Sequence, residues 1–197
     1  MNTESIYRFV AIALLGANMA ISIYYRSRAA RSGEKISSHG EGKPILYLRR
    51  ILGLGLWLSS LAYLVNPAWM AWSSLPLPAW ARWSGAALML VCVPLIYWVF
   101  SSLGKNVTHT VAIRTEHSLV THGPYRWVRH PLYTVGFLSF TGFSLLAANW
   151  FIFAMLLAAY PILMARTAIE EAHLVGRFGD DYRQYMQRTG RYLPKLG

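Results

Sequence analysis

Apolar and charged positions separate into long blocks along this chain. Stretches free of Lys, Arg, Asp and Glu run over 9–25, 51–81, 83–104 and 130–165. A bilayer core takes roughly 17–25 apolar residues per helix, so the first and third stretches each predict one span. The second exceeds one span and carries Pro67, Pro76 and Pro78 in its excess, which predicts a helix near 46–65 and then an extramembrane loop. The fourth predicts two short helices folded back at Ala147-Ala148-Asn149-Trp150. The pattern is that of an all-α integral membrane bundle of about five transmembrane helices. Charge-free runs of this length argue against a soluble bundle. Past the last run, Ile169 is followed by Leu174, Phe178, Tyr182, Tyr185 and Met186, of which Leu174 to Tyr182 recur every four residues and Tyr185 and Met186 follow Tyr182 by three and four. They predict an amphipathic C-terminal helix on the cytoplasmic side, interrupted at Gly179 and ended by Gly190 and Pro194. Its apolar face is expected to lie as a lid over 105–130.

Composition sharpens this picture. The 197 residues fit one domain. Lys and Arg crowd three segments: 26–50 (Arg26, Arg28, Arg31, Lys35, Lys43, Arg49, Arg50), 105–129, and the tail beyond Arg166. The connections 66–81 and 147–150 carry no charge. By the positive-inside pattern the N-terminus is expected outside and the C-terminus in the cytoplasm. Trp69, Trp72, Trp80 and Trp83 then form an outer aromatic belt. The net charge of +11 is accounted for by these flanking residues, some facing lipid headgroups, which argues against nucleic-acid binding. The first apolar run reads as a retained anchor, because it is long and Arg26, Arg28 and Arg31 hold its far end. The single Cys92 lies mid-span, where packing is its expected role. Residues 1–104 read as a three-helix scaffold, with Gly53, Gly55, Gly85, Ala86 and Ala87 suited to close helix packing. Residues 105–197 hold five of the six histidines and the densest polar sequence. That half is expected to be the cofactor-binding and catalytic region.

The chemistry narrows by elimination. His109, His117, His122 and His130 lack the i, i+4 spacing beside a glutamate found in helical zinc sites, so no metal is expected. No serine sits in a G-x-S-x-G turn, and the glycines are too scattered for a phosphate loop. Two groups remain. His130-Pro131-x-Tyr133 opens one helix, with His130 at its cap, and Arg166-x-x-x-Glu170-Glu171 closes the next. A short hairpin returns both to the same cytoplasmic level. Ionisable residues at a membrane boundary are costly unless paired or functional. By itself Arg166 with Glu170 is also compatible with a snorkelling i, i+4 ion pair.

The order N-V-x-H, then H-S-L-V-T-H-G-P-Y-R-W-V-R-H-P-L-Y, then E-E, then F-G-D-D-Y-x-x-Y-M-x-R-T-G-R-Y-L-P resembles the isoprenylcysteine carboxyl methyltransferase family. More broadly it is similar to the membrane phospholipid and isoprenylcysteine methyltransferases. The resemblance covers roughly 104–195. It implies S-adenosyl-L-methionine as the methyl donor, bound at the cytoplasmic face. Cofactor contacts would fall on His117, Ser118, Leu119, Val120, Tyr125, His130, Pro131, Leu132, Tyr133, Glu170 and Glu171, with His109 or Thr110 as a further polar contact. Arg166 would stand on the acceptor side, making Arg166 and Glu170 the catalytic pair.

The physical chemistry is compatible with those roles. Methyl transfer from a sulfonium is an in-line displacement that needs mainly proximity and alignment. Carboxylates and aromatic faces suit the donor's positive charge. A carboxylate acceptor is nucleophilic at neutral pH and is oriented by a planar cation such as Arg166, whereas an amine must first lose a proton to a base. The expected function is an integral membrane methyltransferase acting on a lipid-like, carboxylate-bearing acceptor such as a prenylcysteine-type group. Phospholipid amine N-methylation, a sterol-reductase-like enzyme using NADPH, and a non-catalytic membrane scaffold are the alternatives. The compact chain suggests a prokaryotic member in the inner membrane.

Overall fold

The computed structural model describes residues 3–31, 43–104 and 119–195. Six α-helices occur among them: α1 (Thr3–Ala30), α2 (Lys43–Val65), α3 (Ala79–Leu103), α4 (Pro131–Leu146), α5 (Trp150–Phe178) and α6 (Asp180–Arg188). Four helices are long and apolar enough to cross a membrane: α1, α2 over Leu46–Val65, α3 and α5. The fifth expected span is α4, with sixteen residues and a length of about 24 Å. It is cut short at both ends, by Pro131 at its first turn and by the turn at Ala147–Ala148, where Ala148 adopts φ 49°.

α5 departs from the expected pair of short helices. It is one helix of 29 residues, about 43 Å long. Asn149 caps it, its side chain accepting from the Ile152 amide at 3.2 Å. The same rod then carries Arg166, Glu170 and Glu171 beyond its apolar stretch. It breaks where expected, at Gly179, whose φ of 57° is the left-handed conformation that glycine adopts without steric cost.

Close packing centres on α3 and α4. A Cβ on Gly85 would lie 2.4 Å from the Gly142 carbonyl oxygen, and one on Gly142 would lie 2.7 Å from that of Gly85. Gly85 therefore has the packing role its sequence suggests. Gly53 does not, since a Cβ there meets nothing within 4 Å. Below this crossing, Cys92, Ile96, Val99 and Phe100 of α3 pack with Tyr125 and Val135 in the buried cluster beneath the polar site.

At the opposite end, the loop expected after α2 is ordered. Pro67–Ser73 form a 3-10 helix capped by Asn66, and Asn149 ties it to the α4–α5 turn by donating to the Ser73 hydroxyl at 2.8 Å and the Met70 carbonyl at 3.2 Å. There Arg82 of α3 pairs with Glu4 of α1 at 2.7 Å, and the Tyr63 hydroxyl of α2 donates to Glu4 at 2.8 Å. These contacts tie α1, α2 and α3 together. Trp69, Trp72, Trp80 and Trp83 around this end are exposed.

Candidate active site

The site forms where α4 begins and α5 leaves the apolar zone. Gly123–Arg126 form a 3-10 turn that buries Pro124 and Tyr125, and His130 is the N-cap of α4, with Pro131 as its first helical residue. Tyr133 lies one turn further on and points to α5. Its hydroxyl donates to Glu170 at 3.1 Å. The Arg166 Nε donates to the same carboxylate oxygen, also at 3.1 Å. Nδ1 of His130 stands 3.7 Å from the other Glu170 oxygen. The i, i+4 ion pair of Arg166 and Glu170 is thus present, within a larger constellation that α4 completes.

Glu171 faces a different set. Its Oε1 accepts from the Arg129 Nε at 2.8 Å and lies 3.2 Å from the His130 Nε2, while its Oε2 accepts from Arg191 at 2.5 Å. Glu171 is 3% exposed, so this carboxylate is already surrounded by cationic and polar donors. Arg129 also donates to the carbonyls of Met186 and Thr189.

The tail completes the enclosure. The Gly190 amide donates to the Trp127 carbonyl at 3.0 Å, and the His130 amide to the Arg191 carbonyl at 3.0 Å, giving a short parallel pairing of Val128 with Gly190. Thr134 donates to the Tyr192 carbonyl at 2.7 Å, and the Tyr192 hydroxyl bonds to that of Thr167. The Tyr192 ring sits 6.1 Å from that of His130. In α6 the buried Tyr185 hydroxyl donates to the Tyr125 carbonyl at 2.6 Å. Burial pushes the Tyr185 phenol up to about 12 and the Tyr125 phenol well above its ordinary value. Both are therefore neutral hydrogen-bonding groups. Asp180 and Asp181 occupy the exposed first turn of α6, where negative charge suits the helix dipole.

His130, Tyr133, Arg166, Glu170 and Glu171 of the expected set meet here. Leu119, Val120 and Tyr125 line an adjoining cavity of about 80 Å³ together with Leu174, Phe178 and Arg129. Leu132 packs on the buried cluster below. His117 and Ser118, with the alternative contacts His109 and Thr110, lie outside the described residues. Sequence reasoning missed Arg129 as an organiser and Thr189, Arg191 and Tyr192 as site-forming residues. The stretch R-T-G-R-Y held the last three, but nothing local names their partners. His122 is exposed, as is His173, whose Nδ1 lies 2.8 Å from the Ile169 carbonyl. Arg126 is exposed over the Trp127 ring at 3.8 Å.

This arrangement can be set beside known proteins. The family described as phospholipid methyltransferase matches residues 80–181, which run from α3 through the start of α6. The chain is 37% identical over 94 residues to protein-S-isoprenylcysteine O-methyltransferase of Tribolium castaneum, covering 46% of this chain and 34% of that protein. It is 37% identical over 97 residues to the protein of that name in Schizosaccharomyces pombe, covering 47% of this chain and 41% of the relative. The chain thus aligns with well under two thirds of either relative's length. The solved structure of a eukaryotic intramembrane Ras methyltransferase, isoprenylcysteine carboxyl methyltransferase, superposes with a TM-score of 0.59 at 26% identity, covering 94% of this chain and 67% of that one. The apolar helices and this membrane-embedded neighbour make the chain a multi-pass membrane protein.

Proposed function

From its membership of the phospholipid methyltransferase family, to which this chain belongs, we propose that it is an integral membrane methyltransferase. It uses S-adenosyl-L-methionine and acts on a lipid-like acceptor bearing a carboxylate, such as a prenylcysteine-type group. The observation that carries this reading is the single constellation of His130, Tyr133, Arg166 and Glu170 at the mouth of the α4–α5 hairpin, within the segment that matches the family. The names of the curated relatives and the solved neighbour supply the acceptor class.

The residues present fit the cofactor. Leu119, Val120, Tyr125 and Phe178 provide an apolar and aromatic cavity suited to a flat heterocycle. Beside it, Glu170 and the Tyr133 ring suit a sulfonium and an ammonium, and His130 suits a carboxylate or a ribose hydroxyl. When bound, S-adenosyl-L-methionine would supply an electrophilic methyl group that a carboxylate acceptor could take without first losing a proton.

The chain's own residues bind and align. Arg166 orients the acceptor carboxylate, and Glu170 fixes Arg166 and Tyr133 in place through its Oε1. Arg129, Glu171 and Arg191 clamp the tail across the site, so α6 and Thr189–Tyr192 act as a lid that limits water. The acceptor's apolar part enters from the bilayer. In this reading the N-terminus is outside and the site faces the cytoplasm.

The test is methyl transfer from radiolabelled S-adenosyl-L-methionine to N-acetyl-S-farnesylcysteine by the purified protein. A carboxyl ester releases labelled methanol in base, whereas an N-methylated amine keeps its label. Base-labile label, lost at least a hundredfold in Arg166→Ala, is the expected result. Label transferred only to a phosphatidylethanolamine vesicle, and stable to base, would replace the carboxylate with an amine acceptor.

A further inference from the structure

Residues 1–104 bear none of the expected site residues, yet two of their arginines reach the level of the site. Asn18 of α1 donates to Ser139 of α4 at 3.1 Å, which fixes the register of these antiparallel helices. Two turns on from Asn18, about 12 Å along α1, stands Arg26. Tyr133 lies about 9 Å from Ser139 in the same direction. The two side chains therefore reach the same level. The α2 register follows from the Trp57 and Phe140 rings, 5.6 Å apart. From Trp57 to Arg49 is about 12 Å, and from Phe140 to Tyr133 about 10 Å, again in one direction.

The surroundings agree with these registers. Arg26 is half-buried, donates to the Ser22 hydroxyl at 2.9 Å, and holds its guanidinium 5.7 Å from the Phe100 ring. It stands within electrostatic range of Tyr133 and of Arg166, whose like charge opposes its own. Arg49 also stands within electrostatic range of Tyr133, and its Nε is buried. The positive-inside pattern asks only for charge at this membrane face, and Arg28, Arg31 and Arg50 satisfy it from exposed positions. Arg26 and Arg49 instead turn inward, at a desolvation cost that a snorkelling arginine avoids.

We propose that Arg26 and Arg49 join Arg166 in one cradle for the acceptor's anionic group, so that α1 and α2 build the acceptor site. An acceptor carboxylate beside Glu170 meets like-charge repulsion in a region of low dielectric. Guanidiniums from two further helices offset that repulsion, and they approach the anion from sides Arg166 cannot reach. The identity of the anion as a carboxylate rests on the methyltransferase reading; the cradle itself does not.

The experiment compares binding of N-acetyl-S-farnesylcysteine and its carboxamide to the full chain in phosphatidylcholine nanodiscs, followed by tryptophan fluorescence. S-adenosyl-L-methionine affinity is measured in parallel. The acid is expected to bind roughly tenfold tighter than the amide. Arg26→Gln and Arg49→Gln each remove most of that preference, Arg26→Lys keeps part of it, and cofactor affinity stays within twofold. Arg28→Gln, at an exposed position, leaves the preference intact. Equal affinity for acid and amide in the unmodified protein overturns the proposal, as does a preference that survives both Gln variants. A preference erased by adding phosphatidylglycerol to the disc would make the ligand a headgroup phosphate and overturn the acceptor assignment. An acid preference without cofactor binding would instead count against the methyltransferase reading and leave the cradle standing.

Discussion

Glu171 gathers Arg129, His130 and Arg191 from two distant stretches of sequence, and removing its charge would leave the Arg129 guanidinium buried without its carboxylate. Breaking a buried pair from one side costs about 3–5 kcal/mol. Glu171→Gln is therefore expected to lower the thermal unfolding temperature and to open residues 189–195 to limited proteolysis. An unchanged melting temperature with a protected tail would show that Glu171 does not clamp the lid. At this scale the sequence was legible where partners are local or are returned to one level by a short hairpin. Arg166 and Glu170 are four apart on one helix, and His130 and Tyr133 sit on the first turn of another, so spacing alone juxtaposes each pair. Arg129, Thr189 and Arg191 were opaque because their partners depend on how the tail returns to residues 127–130. No periodicity encodes that return.

At the level of elements, the α3–α4 crossing sets the depth of the site, because it fixes where α4 begins relative to the buried cluster beneath it. Gly85 and Gly142 bring the two backbones together. Gly85→Ala would force its Cβ against the Gly142 carbonyl and is expected to cost about 1–3 kcal/mol, as overpacking does. Gly53→Ala, which meets open space, should be neutral or slightly stabilising. Thermal unfolding of both variants checks this, and equal stability would deny the crossing its role. Hydrophobic blocks located α1, α2 and α3 well because bilayer thickness imposes their length. They also placed the turn at 147–150 that divides the last charge-free run, but not the unequal lengths of α4 and α5. The period up to Phe178 reported a helix there, but nothing in it says that this helix and the apolar one before Arg166 are a single rod. The ordered 3-10 segment at Pro67–Ser73 was hidden for a similar reason: its order comes from Asn149, a residue far along the chain.

Taken whole, the molecule has two differently organised ends. One is fastened by Glu4, Arg82 and Tyr63 and ringed by exposed tryptophans. The other gathers His130, Tyr133, Arg166, Glu170 and Glu171 under a folded-back tail. The bundle between them aligns five helices so that α1 and α2 also reach the polar end. Composition and charge made the membrane architecture readable, since long apolar runs have few other uses. The functional reading came from motif order, and the physics of spacing alone could not have supplied a cofactor. The most direct test of the central claim is equilibrium binding of radiolabelled S-adenosyl-L-methionine to the detergent-purified protein, with Glu170→Ala beside it. Saturable binding, weakened at least tenfold in a folded Glu170→Ala variant, is the predicted result. A folded protein that does not bind S-adenosyl-L-methionine, or binds it equally well without the Glu170 carboxylate, would contradict the account.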